Sequence, residues 1–208
     1  MSVEEVANTV THGFGLILSI GGFIALMILA LPGGDAWHTA AAVVYGVSLI
    51  TLYGASTFYH TVITPRRKKL LQLADHCSIY LLIAGSYTPF LLTVLREGIG
   101  PGMLALVWSL AVIGIALKIA FRGRLVALSI VLYLAMGWIG ILAAKPLYDV
   151  LGPFALGLVV AGGVSYTLGM IFFGWKAIRH HHAIFHVFVL FGSILHYIAV
   201  VTYIMPSA

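Results

Sequence analysis

The chain has 208 residues, of which 62% are hydrophobic and only 8% charged, against roughly 25% charged in an ordinary soluble domain. That balance excludes a soluble enzyme and points to a polytopic, all-α integral membrane protein. The formal net charge of +5 comes from short basic groups between apolar runs, not from a basic arm, which excludes a nucleic-acid-binding role.

Seven runs reach the ~20 apolar residues a bilayer span needs: 9–31, 39–61, 73–95, 102–121, 125–144, 153–175 and 183–205. The first follows Glu4 and Glu5 without a preceding lysine or arginine and is too long for a signal-peptide core, so it reads as a mature helix. The connectors carry breakers: Pro32-Gly33-Gly34, Pro65, Gly98 to Pro101, Gly123, Pro146 and Gly152-Pro153. Pro89 inside the third run is expected to kink it. In the sixth run Gly157, Ala161, Ser165 and Gly169 form a small-residue stripe suited to close helix packing, within the chain or between copies. The single cysteine, Cys77, excludes an intrachain disulfide. The expectation is one seven-transmembrane helix bundle spanning residues 1–208.

Orientation follows from the basic residues. Arg66, Arg67, Lys68, Lys69, Lys118, Arg122, Arg124, Lys176 and Arg179 fall on one side, and only Arg96 and Lys145 on the other. The positive-inside rule then places the N-terminus in the cytoplasm and the C-terminus outside.

His182 and His186 lie four apart on one helical face at the start of the last run, an arrangement that lipid tolerates poorly unless the rings bind something. His60 closes the second run, with Ser56 one turn deeper. Asp75 alone among the six acidic residues stands at the entrance of a span; Glu4, Glu5, Asp35, Glu97 and Asp149 fall at the N-terminus or in connectors. With the orientation above, His60, Asp75 and His182 all lie within about 10 Å of the cytoplasmic turns, at a rise of 1.5 Å per residue. Three imidazoles with an open fourth position are a catalytic zinc pattern. Zinc acidifies a bound water to a pKa of roughly 7, and Asp75 can serve as general base while Ser56 orients water or substrate. Interfacial histidines bonded to carbonyls and headgroups are the other reading of the same residues.

The remaining histidines fit this site less well. His180 and His181 are expected to face water beside Arg179. His76 points about 100° from Asp75 and reads as packing. His196 lies roughly 15 Å further along its helix than His186 and reads as a satisfied interior residue. His38 falls in an outer connector, and Cys77 reads as a small packing residue. His12, one turn past Asn8, is a candidate for lining the site.

Four stretches resemble the haemolysin III group of the progestin and adipoQ receptor family: residues 5–13 (EVANTVTHG), 55–61 (ASTFYHT), 75–90 (DHCSIYLLIAGSYTPF) and 182–186 (HAIFH). The resemblance implies a zinc ion in the cytoplasmic half of the bundle, held by His60, His182 and His186, with Asp75 acting through water and Ser56 in the same cluster. It also implies a link to hydrolysis of lipid amides such as ceramide, which the animal receptors and the more distantly related alkaline ceramidases share. The chain lacks the long soluble N-terminal region of the animal hormone receptors, so hormone binding is not expected.

Three functions remain open on this reading. One is a zinc-dependent hydrolase of a membrane lipid amide or ester, its substrate entering sideways from the inner leaflet. Another is a non-enzymatic sensor or regulator of membrane homeostasis, with zinc as a structural cross-link between the second and seventh spans. The third is a pore-forming cytolysin, for which the mostly apolar middle of the spans offers no continuous polar stripe. A retinal pigment is excluded because the seventh span has no lysine, and an ion pump is disfavoured because no acid sits at mid-membrane. The expected location is the cell membrane.

Overall fold

A computed structural model describes residues 2–33 and 35–205. Among these the chain forms seven α-helices and one 3-10 turn, in the order α1 (Val3–Ala30), α2 (Ala36–Thr61), α3 (Pro65–Leu92), α4 (Gly100–Ala120), α5 (Val126–Trp138), the 3-10 turn (Ile139–Ala143), α6 (Ala144–Gly174) and α7 (His181–Tyr203).

Local chemistry sets the helix starts. Ser2 caps α1, its hydroxyl accepting the Glu5 amide at 3.2 Å, and Glu4 and Glu5 occupy the electropositive first turn. Asp35 caps α2 by accepting the Trp37 and His38 amides at 3.0 Å each. Pro65 opens α3, where its missing N–H costs nothing. The turn before α7 ends in His180, whose backbone is left-handed at φ 57°.

Among the described residues, five stretches are long and apolar enough to cross a membrane: Val3–Ala30, Ala36–Thr61, Gly100–Ala120, Val126–Gly174 and His181–Tyr203. Several boundaries differ from expectation. α3 starts at Pro65 instead of 73, so Arg66 to Lys69 form its first turns, and it stops at Leu92. Its apolar part carries Asp75, His76 and several hydroxyl residues, which is why its mean hydropathy falls short. Pro89 lies in the last turn of α3, where it helps end the helix. The fifth run is split, α5 ending at Trp138 and passing through the 3-10 turn straight into α6. The stretch 145–152, expected as an irregular connector, is helical up to a break at Gly152 (φ 81°), a backbone setting open to glycine, and Pro153 restarts the helix.

Helices α1 to α4 pack each against the next, α6 packs along α7, and α1 also packs against α7, which closes the ring. Helix α5 touches α3, α4 and α6 only lightly. Close packing relies on missing side chains: a methyl at Gly15 would overlap the Tyr53 ring, and one at Gly162 would overlap the His196 ring. Of the expected small-residue stripe, Ser165 and Gly169 are buried against α7, with the Ser165 hydroxyl donating to Phe188 O at 2.7 Å, whereas Gly157 and Ala161 face outward. Large apolar side chains line the outer surface, among them Ile17, Val112 and Phe154 at 69%, 63% and 78% exposure, as on a lipid-facing surface. Lys118, expected at a cytoplasmic turn, instead bends inward and donates to Ser129 Oγ at 2.9 Å.

Because the ring closes through α1 and α7, four helix ends meet at one level: the start of α1, the end of α2, the early part of α3 and the start of α7.

Candidate metal centre

His60 comes from the last turn of α2, and His182 and His186 from the first turns of α7. One nitrogen from each lies within 4.8 Å of the others. The ring centroids are 5.1 Å apart for His60–His182, 5.1 Å for His60–His186 and 4.6 Å for His182–His186. His60 and His186 are almost fully buried.

Hydrogen bonds fix the rings. Glu5 Oε2 lies 2.6 Å from His60 Nδ1; a carboxylate only accepts, so Nδ1 carries the proton. Thr11 Oγ1 lies 3.2 Å from His186 Nδ1. The single Thr11 hydroxyl proton is directed to its own helix, at Ala7 O (2.9 Å) and Asn8 O (3.0 Å), so His186 Nδ1 is the donor here too. Both imidazoles are thus held in the tautomer whose lone pair sits on Nε2, the form a metal ligand requires. His60 Nε2 is buried and has no hydrogen-bond partner among the described residues. The donor set therefore fits a zinc ion: three neutral imidazoles, short mutual distances and a buried lone pair left unsatisfied.

Asp75 and Ser56 stand beside this trio and do not form part of it. Both are buried, Ser56 completely. Ser56 Oγ lies 2.7 Å from His12 Nδ1, and Ser56 and Asp75 line the same cavity. His12 stacks on His186, with centroids 3.4 Å apart and planes at 12°. His12 therefore lies between the His186 ring and Ser56, and lines the cavity described below.

The other histidines follow expectation only in part: His38 is buried in the first turn of α2 and not in a connector, and His180, expected to face water, is half-buried with its Nδ1 enclosed. His76 and His196 lie along the cavity described below, outside the trio. The His76 carbonyl accepts Tyr133 OH at 2.7 Å, and His196 Nε2 donates to Val159 O at 2.9 Å. His181 donates from Nδ1 to Phe172 O at 3.0 Å, so it turns back to α6 and not simply to water. His38 pairs with Asp35 at 2.9 Å.

Glu5 was not expected at the site. Its second oxygen, Oε1, meets Lys68 Nζ at 2.5 Å, so one carboxylate joins α1, α2 and α3. Helical spacing carried a signal: Glu5, Asn8 and His12 follow at i, i+3 and i+7 and share a face. Asn8 Nδ2 reaches to 3.5 Å from His60 Nδ1, and His12 reaches Ser56.

A cavity of about 380 Å³ opens beside the trio, lined by His182 and His186. His12, Ser56, Asp75, His182 and His186 form its polar end. From there it runs between α3, α5, α6 and α7, past Ile79, Leu82 and Phe90, to Gly140, Ile141 and Leu147. Its walls are otherwise almost wholly apolar, the lining expected of a site for a ligand with a polar head and a hydrocarbon body.

Fold and site together define a helical, multi-pass membrane protein with a possible three-histidine metal site. The sequence model of the family described as "Haemolysin-III related" matches residues 2–197. The chain is 47% identical to "Hemolysin-3" of Bacillus cereus, over 99% of this chain and 94% of that protein. It is 46% identical to "Hemolysin-3 homolog" of Bacillus subtilis, over 96% and 94%. It is also 32% identical to "Monocyte to macrophage differentiation factor" of Homo sapiens, over 98% and 86%. The chain belongs to the haemolysin III group of the progestin and adipoQ receptor family.

Proposed function

We propose that this chain is a single seven-span domain of the cell membrane, with its N-terminus cytoplasmic, that hydrolyses an amide or ester of a membrane lipid at a zinc site. The ligands are His60, His182 and His186. The observation that carries the reading is that two of the three clustered histidines, His182 and His186, form the polar end of an apolar-walled cavity together with Asp75 and Ser56. The seven spans are the five long apolar stretches, with Val126–Gly174 crossing twice around the 3-10 turn and α3 completing the set.

Zinc, when bound, would polarise a carbonyl oxygen and lower the pKa of water, supplying a nucleophile at neutral pH. The chain's own groups do the rest. His60 and His186 present Nε2 lone pairs because Glu5 and Thr11 hold their Nδ1 protons. Asp75 accepts a proton from the attacking water and returns it to the departing amine or alcohol. Ser56, held by His12, faces the same cavity as Asp75 and orients water or substrate there. The apolar walls take up the acyl chain and exclude bulk water from the reacting carbonyl.

The test is turnover of a lipid amide by purified protein, followed by mass spectrometry with metal content measured on the same sample. The wild type should contain about one zinc per chain and release fatty acid. Asp75→Asn should keep the zinc and lose at least ~100-fold in rate, within the range for removal of a general base. Equal turnover by both proteins would remove Asp75 from the reaction.

One observation favours a second reading, in which zinc is a structural cross-link. The ligands join α2 to α7, whose sequence positions are far apart, at the point where the ring closes. On that reading zinc stabilises the fold and no lipid is consumed.

A further inference from the structure

Glu5 engages both of its carboxylate oxygens. Oε2 lies 2.6 Å from His60 Nδ1 and Oε1 lies 2.5 Å from Lys68 Nζ. The residue sits in the first turn of α1, where its amide is fixed by the Ser2 cap and its carbonyl accepts the Thr9 hydroxyl at 2.8 Å. Lys68 is placed by the first turns of α3 and lies 5.0 Å from the centroid of the Tyr59 ring, beside His60. The Glu5 side chain is 26% exposed, whereas the imidazole it bonds is 3% exposed. An interfacial carboxylate thus reaches inward to a buried ring whose far nitrogen, Nε2, has no hydrogen-bond partner among the described residues.

We infer that Glu5 is a positioning residue for the metal centre: anchored by Lys68, its carboxylate orients His60 through Nδ1 and strengthens Nε2 as a ligand. The inference rests on the reading that His60, His182 and His186 hold a metal.

The physical reason is a general property of imidazole ligands. A carboxylate on the non-ligating N–H fixes the tautomer and the ring plane and raises the basicity of the ligating nitrogen. His186 receives a weaker version of the same support from the Thr11 hydroxyl at 3.2 Å. Glu5 is the charged partner among these supports, so its removal falls hardest on the metal. A simple interfacial ion pair between Glu5 and Lys68 would contribute little by itself. The contact with His60 is what distinguishes the two roles.

The experiment compares full-length wild type, Glu5→Gln, Lys68→Met and a control, Glu97→Gln, in detergent or nanodiscs. Glu97 is exposed and pairs only with its neighbour Arg96 among the described residues. Zinc affinity is read by competition with a chromophoric chelator. The ligand field is read from the absorption of the Co²⁺-substituted protein, and the fold from the metal-free melting temperature. Glu5→Gln should weaken zinc binding at least tenfold, within the range for lost outer partners of metal ligands, and should shift the Co²⁺ bands. Glu97→Gln should match wild type. Lys68→Met should weaken zinc by a smaller factor, about two- to fivefold on the same scale, because Glu5 keeps its bond to His60 but loses its anchor.

Wild-type affinity with an unmoved Co²⁺ spectrum in Glu5→Gln would overturn the role of Glu5 and leave the three-histidine centre standing. A fall in affinity matched by a lower metal-free melting temperature, with the Co²⁺ bands unmoved, would make Glu5 merely structural and also overturn it. Wild type that takes up no zinc would overturn the metal reading itself. If Glu5→Gln does not fold, Lys68→Met decides the matter, and unchanged zinc affinity there counts against the inference.

Discussion

Ser193 joins three helices through one oxygen. Tyr53 OH of α2 donates to its Oγ at 2.8 Å, and Tyr166 OH of α6 lies 2.9 Å from the same atom on α7. Ser193→Ala leaves Tyr166 without this bond, while Tyr53 keeps a 3.4 Å contact with Val189 O. The expected loss is about 1 kcal/mol, in the range of single hydrogen bonds in membrane bundles, read as an earlier unfolding midpoint in a denaturing-detergent titration. Asp35 gives a pH-dependent case at the surface. Hydrogen bonds from the His38 ring and the His38 and Trp37 amides hold its carboxyl below the usual aspartate range. A depressed folded-state pKa means the stabilisation is present above the unfolded value of about 3.9 and is lost as pH falls through the folded value. Asp35→Ala should therefore melt below wild type at pH 7, and the difference should narrow as pH falls through the folded value, below the ordinary aspartate range; a gap that does not narrow in acid would assign the effect to packing. These residues also show what could be read from sequence at the site. His182 and His186 are visible by their spacing, and His60, Ser56 and Asp75 by their common depth. Spacing puts Glu5 on the face of Asn8 and His12, but its contact with His60 was not visible, because it depends on the register of the start of α1 against the end of α2, which no local pattern encodes.

At the scale of helices, the contact between α6 and α7 depends on the absence of side chains. A methyl at Gly162 would overlap the His196 ring and lie 3.1 Å from Gly192 O, whereas one at Gly157 would meet nothing within 4 Å. Gly162→Ala should destabilise the bundle by about 1–3 kcal/mol through overpacking. Gly157→Ala should be neutral, or stabilising by roughly 0.5–1 kcal/mol from helix propensity. Thermal melting of the two variants in one detergent checks the contrast. If Gly157→Ala were the damaging one, its outward face would be buried in an assembly and the stripe would pack copies together, not α6 on α7. Hydropathy located the helices because lipid imposes one requirement, a long apolar run, on every exposed span. It misplaced the limits of α3 because that helix continues into its own basic turns, where water tolerates charge. It also missed the helical stretch 145–152, since proline and glycine mark breaks equally well in a loop and between two helices.

For the whole molecule, the decisive feature is that the ring of helices closes where the histidines sit. Helix α1 reaches α7 there, Glu5 and Thr11 of α1 brace His60 and His186, and the trio itself joins α2 to α7. On the proposed metal reading, an ion at this point would bind the closed ring and have no comparable site in an open one, since His60 is far in sequence from His182 and His186. Mass action then makes stability depend on free zinc: at 100 times the dissociation constant the gain is about 2.7 kcal/mol, and chelation should remove it. Melting of wild type should rise with free zinc and fall with a chelator. His182→Ala should melt at a temperature that no longer responds to either, because two imidazoles cannot retain the ion at the same concentration. Both the hydrolase and the cross-link readings require this response, and only the hydrolase adds lipid turnover lost in Asp75→Asn. A wild-type melting temperature indifferent to free zinc over a wide range would mean that the folded chain does not bind the ion in preference to the unfolded one, and would overturn both readings.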